Sequence, residues 1–282
     1  MASFCFESIN WSPYFGQSST SVFALVEAAS EAGFSWISFD EPLLKGAQRD
    51  SISLAELGKA VEGARLKTLA VHSLGISGST EVDMAAAEQL LLAAMELGAP
   101  YLHCGVTGEV DSELRKSVKR IATRARECGV ALAIEFLPFL PVASIADTRA
   151  IIEACEDDGA GMVVDSWHFF HGPDSWEELQ SLKPSEIAYV QFDDHPALES
   201  RDILAETTMR RVLPGLGEFD LDRFAQVFHE MGWQGIVGLE LLSEESRNRP
   251  PGEVALELMR SSQPYWDEDG DRNGDGNGHG NG

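Results

Sequence analysis

Residues 101–136, YLHCGVTGEVDSELRKSVKRIATRARECGVALAIEF, show the pattern from which the fold class follows. A short apolar run, 101–106, opens this segment and another, 130–136, closes it. Between them, residues 114–128 repeat apolar side chains with the period of an amphipathic helix. Asp111 is a suitable N-terminal helix cap and Gly129 a suitable helix terminator. The segment therefore predicts two parallel strands joined by a helix.

The same alternation continues along the rest of the chain. Short apolar runs lie at residues 4–9, 36–39, 69–74, 101–106, 130–136, 161–164, 187–192 and 236–242. Strands that alternate with helices in this way predict an α/β protein, and the number of runs fits a closed (β/α)8 TIM barrel over residues 1–266. Residues 267–282 contain no apolar side chain, and they are predicted to form a disordered, acidic, glycine-rich C-terminal tail.

Composition narrows the classes of partner. The chain has 21 Lys and Arg against 46 Asp and Glu, a formal net charge of −25, which disfavours nucleic acid and anionic membranes. No apolar stretch is long enough for a transmembrane helix, and no signal peptide is evident. The four cysteines have neither disulfide nor zinc-knuckle spacing. We therefore expect a cytoplasmic protein with a small-molecule substrate; a homo-oligomer is one open alternative for its assembly.

Four consecutive predicted strands, the fifth to the eighth, each end in a side chain that carries an oxygen donor. These side chains are Glu135, Asp165, Gln191 and Glu240. In a TIM barrel the C-terminal strand ends meet at one face, where active sites lie. Three carboxylates in an apolar setting would repel one another and lose hydration, and a cation removes both costs. The alternative, pairing with arginine, is disfavoured because no Lys or Arg stands at a predicted strand end.

The all-oxygen donor set predicts one divalent metal ion. Mn²⁺, Mg²⁺ and Co²⁺ suit such ligands, whereas Zn²⁺ is a weaker prediction that requires a nearby histidine. Other polar side chains near strand ends give weaker signals, among them Glu7 and Asp40 after the first two runs. The predicted substrate contacts are His72, His103, Trp167 and Arg201. For each of these four, ordinary packing or a solvated position is the alternative.

One long irregular segment, about 194–220, separates the seventh predicted strand from its helix. Loops of this length are uncommon unless they are functional or disordered. We interpret it as a lid over the barrel mouth, with a tolerated surface insertion as the alternative. Arg210 and Arg211 in this segment are interpreted as solvated, although either could clamp a carboxylate or phosphate. His195 is likewise assigned to a surface loop.

These motifs resemble those of the xylose-isomerase-like TIM barrel superfamily over roughly residues 1–265. The matching stretches are Ile134-Glu135, Asp165-Ser-Trp-His168, Val190-Gln191-Phe-Asp-Asp194, Pro214-Gly-Leu-Gly-Glu-Phe-Asp220 and Leu239-Glu240. The resemblance implies that Glu135, Asp165, Gln191 and Glu240 are the metal ligands. It also implies that Glu135 and Glu240 move protons on either face of the substrate, and that His168 contacts the substrate as a catalytic group.

The function implied by the resemblance is enolisation of a hydroxy carbonyl compound. The first interpretation is an isomerase or epimerase of carbohydrate metabolism with a sugar-like substrate. The alternative is a dehydratase, a lyase of the 3-dehydroshikimate or inosose type, because Gln191 is similar to the dehydratase branches where epimerases place a histidine. An alternative from another class is a non-catalytic barrel that binds a small molecule. The related apurinic-site endonucleases need a dense set of histidines for three zinc ions, which this sequence lacks.

Overall fold

Parallel strands pair side by side and close into a ring. The computed structural model of the protein describes residues 2–16, 20–153, 155 and 159–267. The strands are β1 (Ser3–Glu7), β2 (Trp36–Asp40), β3 (Lys67–Ile76), β4 (Tyr101–Val106), β5 (Ala131–Glu135), β6 (Ala160–Asp165), β7 (Ile187–Gln191) and β8 (Ile236–Leu239). Each pairs with the next in parallel, and β1 also pairs with β8, so the barrel is closed. The predicted TIM barrel is confirmed; the predicted tail lies, apart from Asp267, outside the described residues.

Helices follow the strands and pack around the barrel. They are α1 (Val22–Glu31), α2 (Glu41–Arg49), α3 (Leu54–Gly63), α4 (Thr80–Leu97), α5 (Ser112–Glu127), α6 (Ile145–Glu153), α7 (Ser166–His171), α8 (Trp176–Gln180), α9 (Ile203–Met209), α10 (Leu221–Glu230), α11 (Glu244–Arg247) and α12 (Pro251–Trp266). Within the described ranges, none of these helices is both long and apolar enough to cross a membrane.

Helix α5 shows how the local sequence sets these elements. The Asp111 side chain accepts hydrogen bonds from the N–H groups of Glu113 and Leu114, so it caps the first turn. The apolar stripe that includes Leu114 is buried against the barrel, and Gly129 follows the helix with a positive φ of 72°. That conformation suits glycine and turns the chain into β5.

Side chains inside the barrel change character from one end to the other. A small apolar cluster fills the interior and consists of Cys5, Leu69, Ala70, Ala133, Val163, Ala188 and Tyr189. Four members of this cluster are followed, two positions later on the same strand, by a polar residue. The four polar residues, after Cys5, Ala133, Val163 and Tyr189, are Glu7, Glu135, Asp165 and Gln191. Because side chains of a strand alternate between its faces, those polar residues also point inward, one layer nearer the C-terminal ends. The apolar layer therefore forms the floor under a polar layer.

The segment between β7 and α10 is folded back onto the barrel. Asp194 forms an antiparallel bridge with Val212, and its carboxylate accepts the N–H groups of Gly215, Gly217 and Phe219. A Cβ on Gly217 would lie 2.1 Å from Asp194 Oδ1, so glycine is required at that position. These bonds fix the segment, which contains α9, against the C-terminal face.

Candidate active site

The four predicted metal ligands lie together at the C-terminal ends of β5 to β8. Asp165 pairs in register with Gln191, and Gln191 pairs with Gly238, two residues before Glu240. All four side chains are buried; Glu135, at 8% exposure, is the most accessible. The strands of one barrel thus bring together residues as far apart in the sequence as Glu135 and Glu240.

A group that could hold a metal ion is formed by Glu135, Asp165 and His168. One ligand atom from each lies within 4.8 Å of the other two. Gln191 Nε2 donates a hydrogen bond to Glu240 Oε2, and the buried Gln191 Oε1 has no hydrogen-bond partner among the residues that the structure describes. A buried amide oxygen without a donor is unusual, and a cation would satisfy it. The donors present therefore fit a divalent ion, and the imidazole of His168 adds a nitrogen that Zn²⁺ accepts.

Histidines hold the Glu135 carboxylate from two sides. His103 Nε2 lies 3.0 Å from Glu135 Oε2, and His168 Nε2 lies 3.3 Å from Glu135 Oε1. The other ring nitrogen of His103 is hydrogen-bonded to the Tyr189 hydroxyl, which fixes the ring. Burial raises the pKa of Glu135, but the charges and hydrogen bonds of the two histidines outweigh it, and the pKa lies well below its usual value. Glu135 is therefore held as a carboxylate.

Glu240 is in the opposite electrostatic situation. Burial is the largest cause that raises its pKa well above the usual value, and the charges of Glu135 and Asp165 add to it. Arg211 opposes this effect without cancelling it. The two carboxyl groups thus differ, because the surroundings favour the ionised form of Glu135 and the protonated form of Glu240.

Arg211 corrects the interpretation that the loop arginines are solvated. Its guanidinium is buried and donates hydrogen bonds to Asp165 Oδ2 at 2.8 Å and to Asp193 Oδ2 at 2.6 Å. Two further bonds go to the backbone oxygen and the hydroxyl of Thr207. The arginine absent from the predicted strand ends is therefore supplied by the folded-back segment after β7. The sequence signal for this was weak: Arg211 precedes the apolar pair Val212-Leu213.

Both oxygens of Asp165 already have partners within the protein. Oδ1 accepts the backbone N–H of His168 at 2.9 Å and so caps α7, while Oδ2 accepts Arg211. Each carboxylate oxygen has a second lone pair, so these bonds orient Asp165 and still allow it to bind a metal ion.

The wall formed by β1 to β3 carries a second set of polar groups. Glu7 accepts a hydrogen bond from the Ser38 hydroxyl and lies 3.3 Å from His72 Nε2. Burial raises the pKa of Glu7 to about 7, against the Ser38 hydrogen bond. Burial also lowers the pKa of His72 well below its usual value, so this imidazole is neutral. At the end of β2, the Asp40 carboxylate accepts a hydrogen bond from the hydroxyl of Ser12.

A cavity of about 410 Å³ opens between the wall formed by β1 to β3 and the side chains of Glu135 and Glu240. This volume is within the range of small-molecule sites. Of the predicted residues, the cavity is lined by Glu135, Glu240, His72 and His103.

The remaining predicted contacts lie away from the cavity lining. Trp167 is buried and packs its ring against His168, with the Arg211 guanidinium 5.8 Å from it. Arg201 is exposed at the start of the turn before α9. His195, assigned to a surface loop, is in fact buried and lies 3.4 Å from Glu206. Substrate contact by Trp167 and Arg201 stays a prediction.

The fold and the site define a TIM barrel with a buried cluster of carboxylates and histidines at its C-terminal face. The sequence matches the family described as xylose isomerase-like TIM barrel over residues 26–265, and the chain belongs to this family.

Curated relatives of the chain are enzymes of two reaction classes. It is 30% identical over 162 residues to an inosose isomerase of Halalkalibacterium halodurans, a match that covers 54% of this chain and 56% of the relative. It is 25% identical over 250 residues to a 3-dehydroshikimate dehydratase of Pseudomonas aeruginosa, covering 84% of this chain and 38% of that protein. The chain spans about half the length of the first curated relatives that it matches.

Solved structures share the fold across nearly the whole chain. The IolI protein with a bound zinc atom superposes with a TM-score of 0.81 at 20% identity, covering 94% of this chain and 98% of IolI. An L-ribulose 3-epimerase superposes with a TM-score of 0.73 at 16% identity, covering 94% of this chain and 95% of the epimerase.

Proposed function

We propose that the protein is a divalent-metal-dependent isomerase or epimerase that acts on a sugar-like hydroxy carbonyl compound through enolisation. The observation that carries the proposal is that Glu135 and Glu240, from different strands, line the same cavity beside the buried donors Asp165, Gln191 and His168. An epimerisation removes a proton from one face of a carbon and returns it to the opposite face, so it needs two such groups. The inosose isomerase relatives support this reaction class.

The metal in this proposal is held by Glu135, Asp165, Gln191 and Glu240. The chemistry that a divalent ion supplies in such a site is polarisation of a carbonyl oxygen and orientation of a neighbouring hydroxyl. The unpartnered Gln191 Oε1 and the convergence of Glu135, Asp165 and His168 support its presence. Mn²⁺, Mg²⁺ and Co²⁺ suit the oxygen ligands, and the position of His168 makes Zn²⁺ a further candidate.

The side chains of the protein then share the proton transfer. His103 and His168 hold the Glu135 carboxylate in one orientation, which suits it to remove a proton from a carbon next to the carbonyl. Glu240 lines the same cavity from the end of β8 and can deliver or accept a proton on the other side of the substrate. The apolar floor formed by Val163 and its neighbours keeps water from entering beneath the reacting atoms.

A dehydratase is the second candidate. The 3-dehydroshikimate dehydratase relative aligns with 84% of this chain, more than the isomerases do. Elimination needs one base and an acid for the departing hydroxyl. His168 lies beside Glu135 and could serve as that acid, whereas His72, which is neutral, lines the cavity and could donate a hydrogen bond to the departing hydroxyl. A non-catalytic binding barrel is a weaker alternative, because it would not require the complete set of buried donors.

Turnover of a panel of substrates tests the proposal. The metal-loaded protein is mixed in deuterated water with free ketoses, an inosose and 3-dehydroshikimate, and the products are followed by mass and absorbance. An isomer that gains deuterium supports isomerisation, whereas loss of water with a new absorbing double bond supports the dehydratase. Glu135→Gln and Glu240→Gln should each lose about 10²–10⁴-fold in rate. Glu245→Gln, an exposed glutamate in α11, is the matched control. Full activity of Glu240→Gln would contradict the assigned role.

A further inference from the structure

A second polar group, Ser12 and Asp40, lines the cavity and is not used in the proposed proton transfer. Asp40 is the last residue of β2, and Ser12 follows the short 3-10 turn (Ser8–Trp11) after β1. In the order of the closed barrel, β2 lies opposite β6, which carries Asp165. Ser12 and Asp40 therefore lie across the barrel from Asp165, while Glu240, after β8, is two strands away from Asp40.

One oxygen of the Asp40 carboxylate has no hydrogen-bond partner within the described part of the chain. Asp40 is only 1% exposed; its Oδ2 accepts the Ser12 hydroxyl, and its buried Oδ1 has no hydrogen-bond partner among the described residues. Asp40 also stands at the N-cap of α2, where the backbone N–H of Leu43 interacts with the carboxylate and lowers its pKa, but no capping bond of normal geometry forms among the described residues. Burying a carboxylate oxygen without a donor is costly, so a donor from outside the chain accounts for this arrangement.

The charge on this wall selects the kind of donor. Burial raises the pKa of Asp40 to about 6, although the Ser12 hydroxyl and the backbone N–H of Leu43 lower it, so the group is ionised in neutral solution. Glu41 follows Asp40 in the lining and is paired with Lys45 at 2.8 Å, and the lining residues within the described ranges include neither Lys nor Arg. Arg211 is already bonded to Asp165 and Asp193. The wall therefore accepts hydrogen bonds and repels a carboxylate or phosphate.

A strained residue adds a hydroxyl to the same region. Ser73, in β3, has a φ of 88°, which a residue with a side chain adopts at a cost. The pairing of β3 with β4 shifts register between Val71 and Leu74, and this irregularity lets His72 and Ser73 both line the cavity. In a regular strand two consecutive side chains would point to opposite faces.

We propose that Ser12 and Asp40 form a hydroxyl-binding subsite that selects an uncharged, polyhydroxylated substrate over a carboxylated one. Asp40 Oδ1 accepts a substrate hydroxyl on the side remote from the reacting carbons, and the Ser12 hydroxyl holds the carboxylate in place. The inference rests on the proposed function for the statement that the bound molecule is a substrate. If the proposed function holds, the subsite favours a neutral cyclic or open-chain polyhydroxy ketone as the substrate. It disfavours 3-dehydroshikimate, which carries a carboxylate.

Binding of unreactive probes tests the subsite separately from catalysis. myo-Inositol is an uncharged, fully hydroxylated ring, and quinate is a hydroxylated ring that carries a carboxylate; neither has a carbonyl to enolise. Their dissociation constants are measured by calorimetry with the full-length, Mn²⁺-loaded protein. The variants are Asp40→Asn and Ser12→Ala, with Asp50→Asn, an exposed aspartate after α2, as the matched control. Thermal melts show whether each variant is folded.

The subsite makes opposite predictions for the two probes. Wild type should bind myo-inositol more tightly than quinate. Asp40→Asn should weaken myo-inositol binding by about 10-fold or more, the effect of losing a hydrogen bond to a charged group, and should leave quinate unchanged or bound more tightly. Ser12→Ala should weaken myo-inositol binding by a smaller factor, and Asp50→Asn should change neither. If Asp40→Asn does not fold, Ser12→Ala alone decides the question.

Three results would overturn the subsite. They are tighter binding of quinate than of myo-inositol by wild type, binding of neither probe, and equal effects of the variants on both probes. Turnover of the substrate panel is measured in parallel. If the predicted binding pattern occurs without any turnover, the proposed function fails and the subsite stands. If turnover occurs and the variants leave the binding preference unchanged, the subsite fails and the proposed function stands.

Discussion

Replacing Arg211 by methionine should destabilise the fold strongly. Arg211 is the buried cation between Asp165 and Asp193, and it makes two further hydrogen bonds to Thr207. Methionine keeps the aliphatic character of the side chain but lacks the guanidinium, which lies 5.8 Å from the Trp167 ring, so the substitution removes the charge, the hydrogen bonds and this cation–π contact. The two carboxylates would then lie in the interior without a counterion.

The size of the effect follows from the burial of all three groups. Removing one partner of a buried ion pair costs about 3–5 kcal/mol, because an uncompensated charge remains. Burial raises the pKa of Asp193 well above its usual value, with Arg211 opposing and Asp165 adding to the effect. Asp193 can therefore take up a proton when Arg211 is absent. Only the Asp165 carboxylate then remains as a buried charge without a counterion. We expect a loss near the lower bound, about 3 kcal/mol in the free energy of unfolding.

Urea denaturation of the metal-free protein measures this loss. The matched control is Arg249→Met, since Arg249 pairs with Glu257 near the surface and such pairs contribute about 0–1 kcal/mol. An unchanged dependence of the unfolding free energy on urea would show that only stability has changed. The reasoning is refuted if Arg211→Met and Arg249→Met lose the same small amount, because Arg211 would then contribute no more than a surface pair.

Three further predictions concern stability and metal binding. Asp83 accepts hydrogen bonds from two serines and a glycine, and these bonds lower its pKa although burial raises it. Asp83→Asn should therefore lower the free energy of unfolding by about 1–3 kcal/mol at neutral pH. Urea denaturation at several pH values compares the variant with wild type. The difference in unfolding free energy should persist above the unfolded-state pKa of about 3.9 and vanish as the pH falls through the lower folded-state pKa of Asp83. A difference that stays constant with pH would contradict this prediction. Gly238→Ala should cost about 1–3 kcal/mol because its Cβ would lie 2.3 Å from Glu7 Oε1, whereas Gly252→Ala, with nothing within 4 Å, should be neutral in the same assay. Calorimetry should find about one divalent ion per chain and weaker binding by Glu135→Gln; equal affinity would remove Glu135 from the ligand set.

Much of the barrel was predictable from the sequence because its signals are local. The apolar runs at 101–106 and 130–136 became β4 and β5, and the periodic stretch between them became α5. Side-chain alternation in a strand and helical periodicity arise from backbone geometry, so they are legible without knowledge of distant residues. Several boundaries moved: for example, β1 ends at Glu7 and not at residue 9, β3 extends to Ile76, and β8 ends at Leu239, one residue before Glu240.

The convergence of Glu135, Asp165, Gln191 and Glu240 was also predictable, because a closed parallel barrel brings its C-terminal strand ends to one face. The sequence alone did not distinguish their environments. Glu135 is held between His103 and His168, whereas Glu240 is bonded to Gln191. Those contacts depend on which rotamers the packed interior allows, and no local pattern encodes them.

Tertiary packing alone determined the environments of Arg211, His195 and Asp40. The chain context of Arg211 and His195 is that of an irregular polar loop, which ordinarily predicts solvent exposure. Both are buried because the loop folds back and is fixed by the Asp194 carboxylate. Asp40 is recognisable in the sequence as a polar residue at a strand end. Its unpartnered oxygen, however, results from the placement of Ser12 and of the cavity beside it. Local periodicity sets where strands and helices form, whereas the hydration and charge of a side chain depend on every element packed around it.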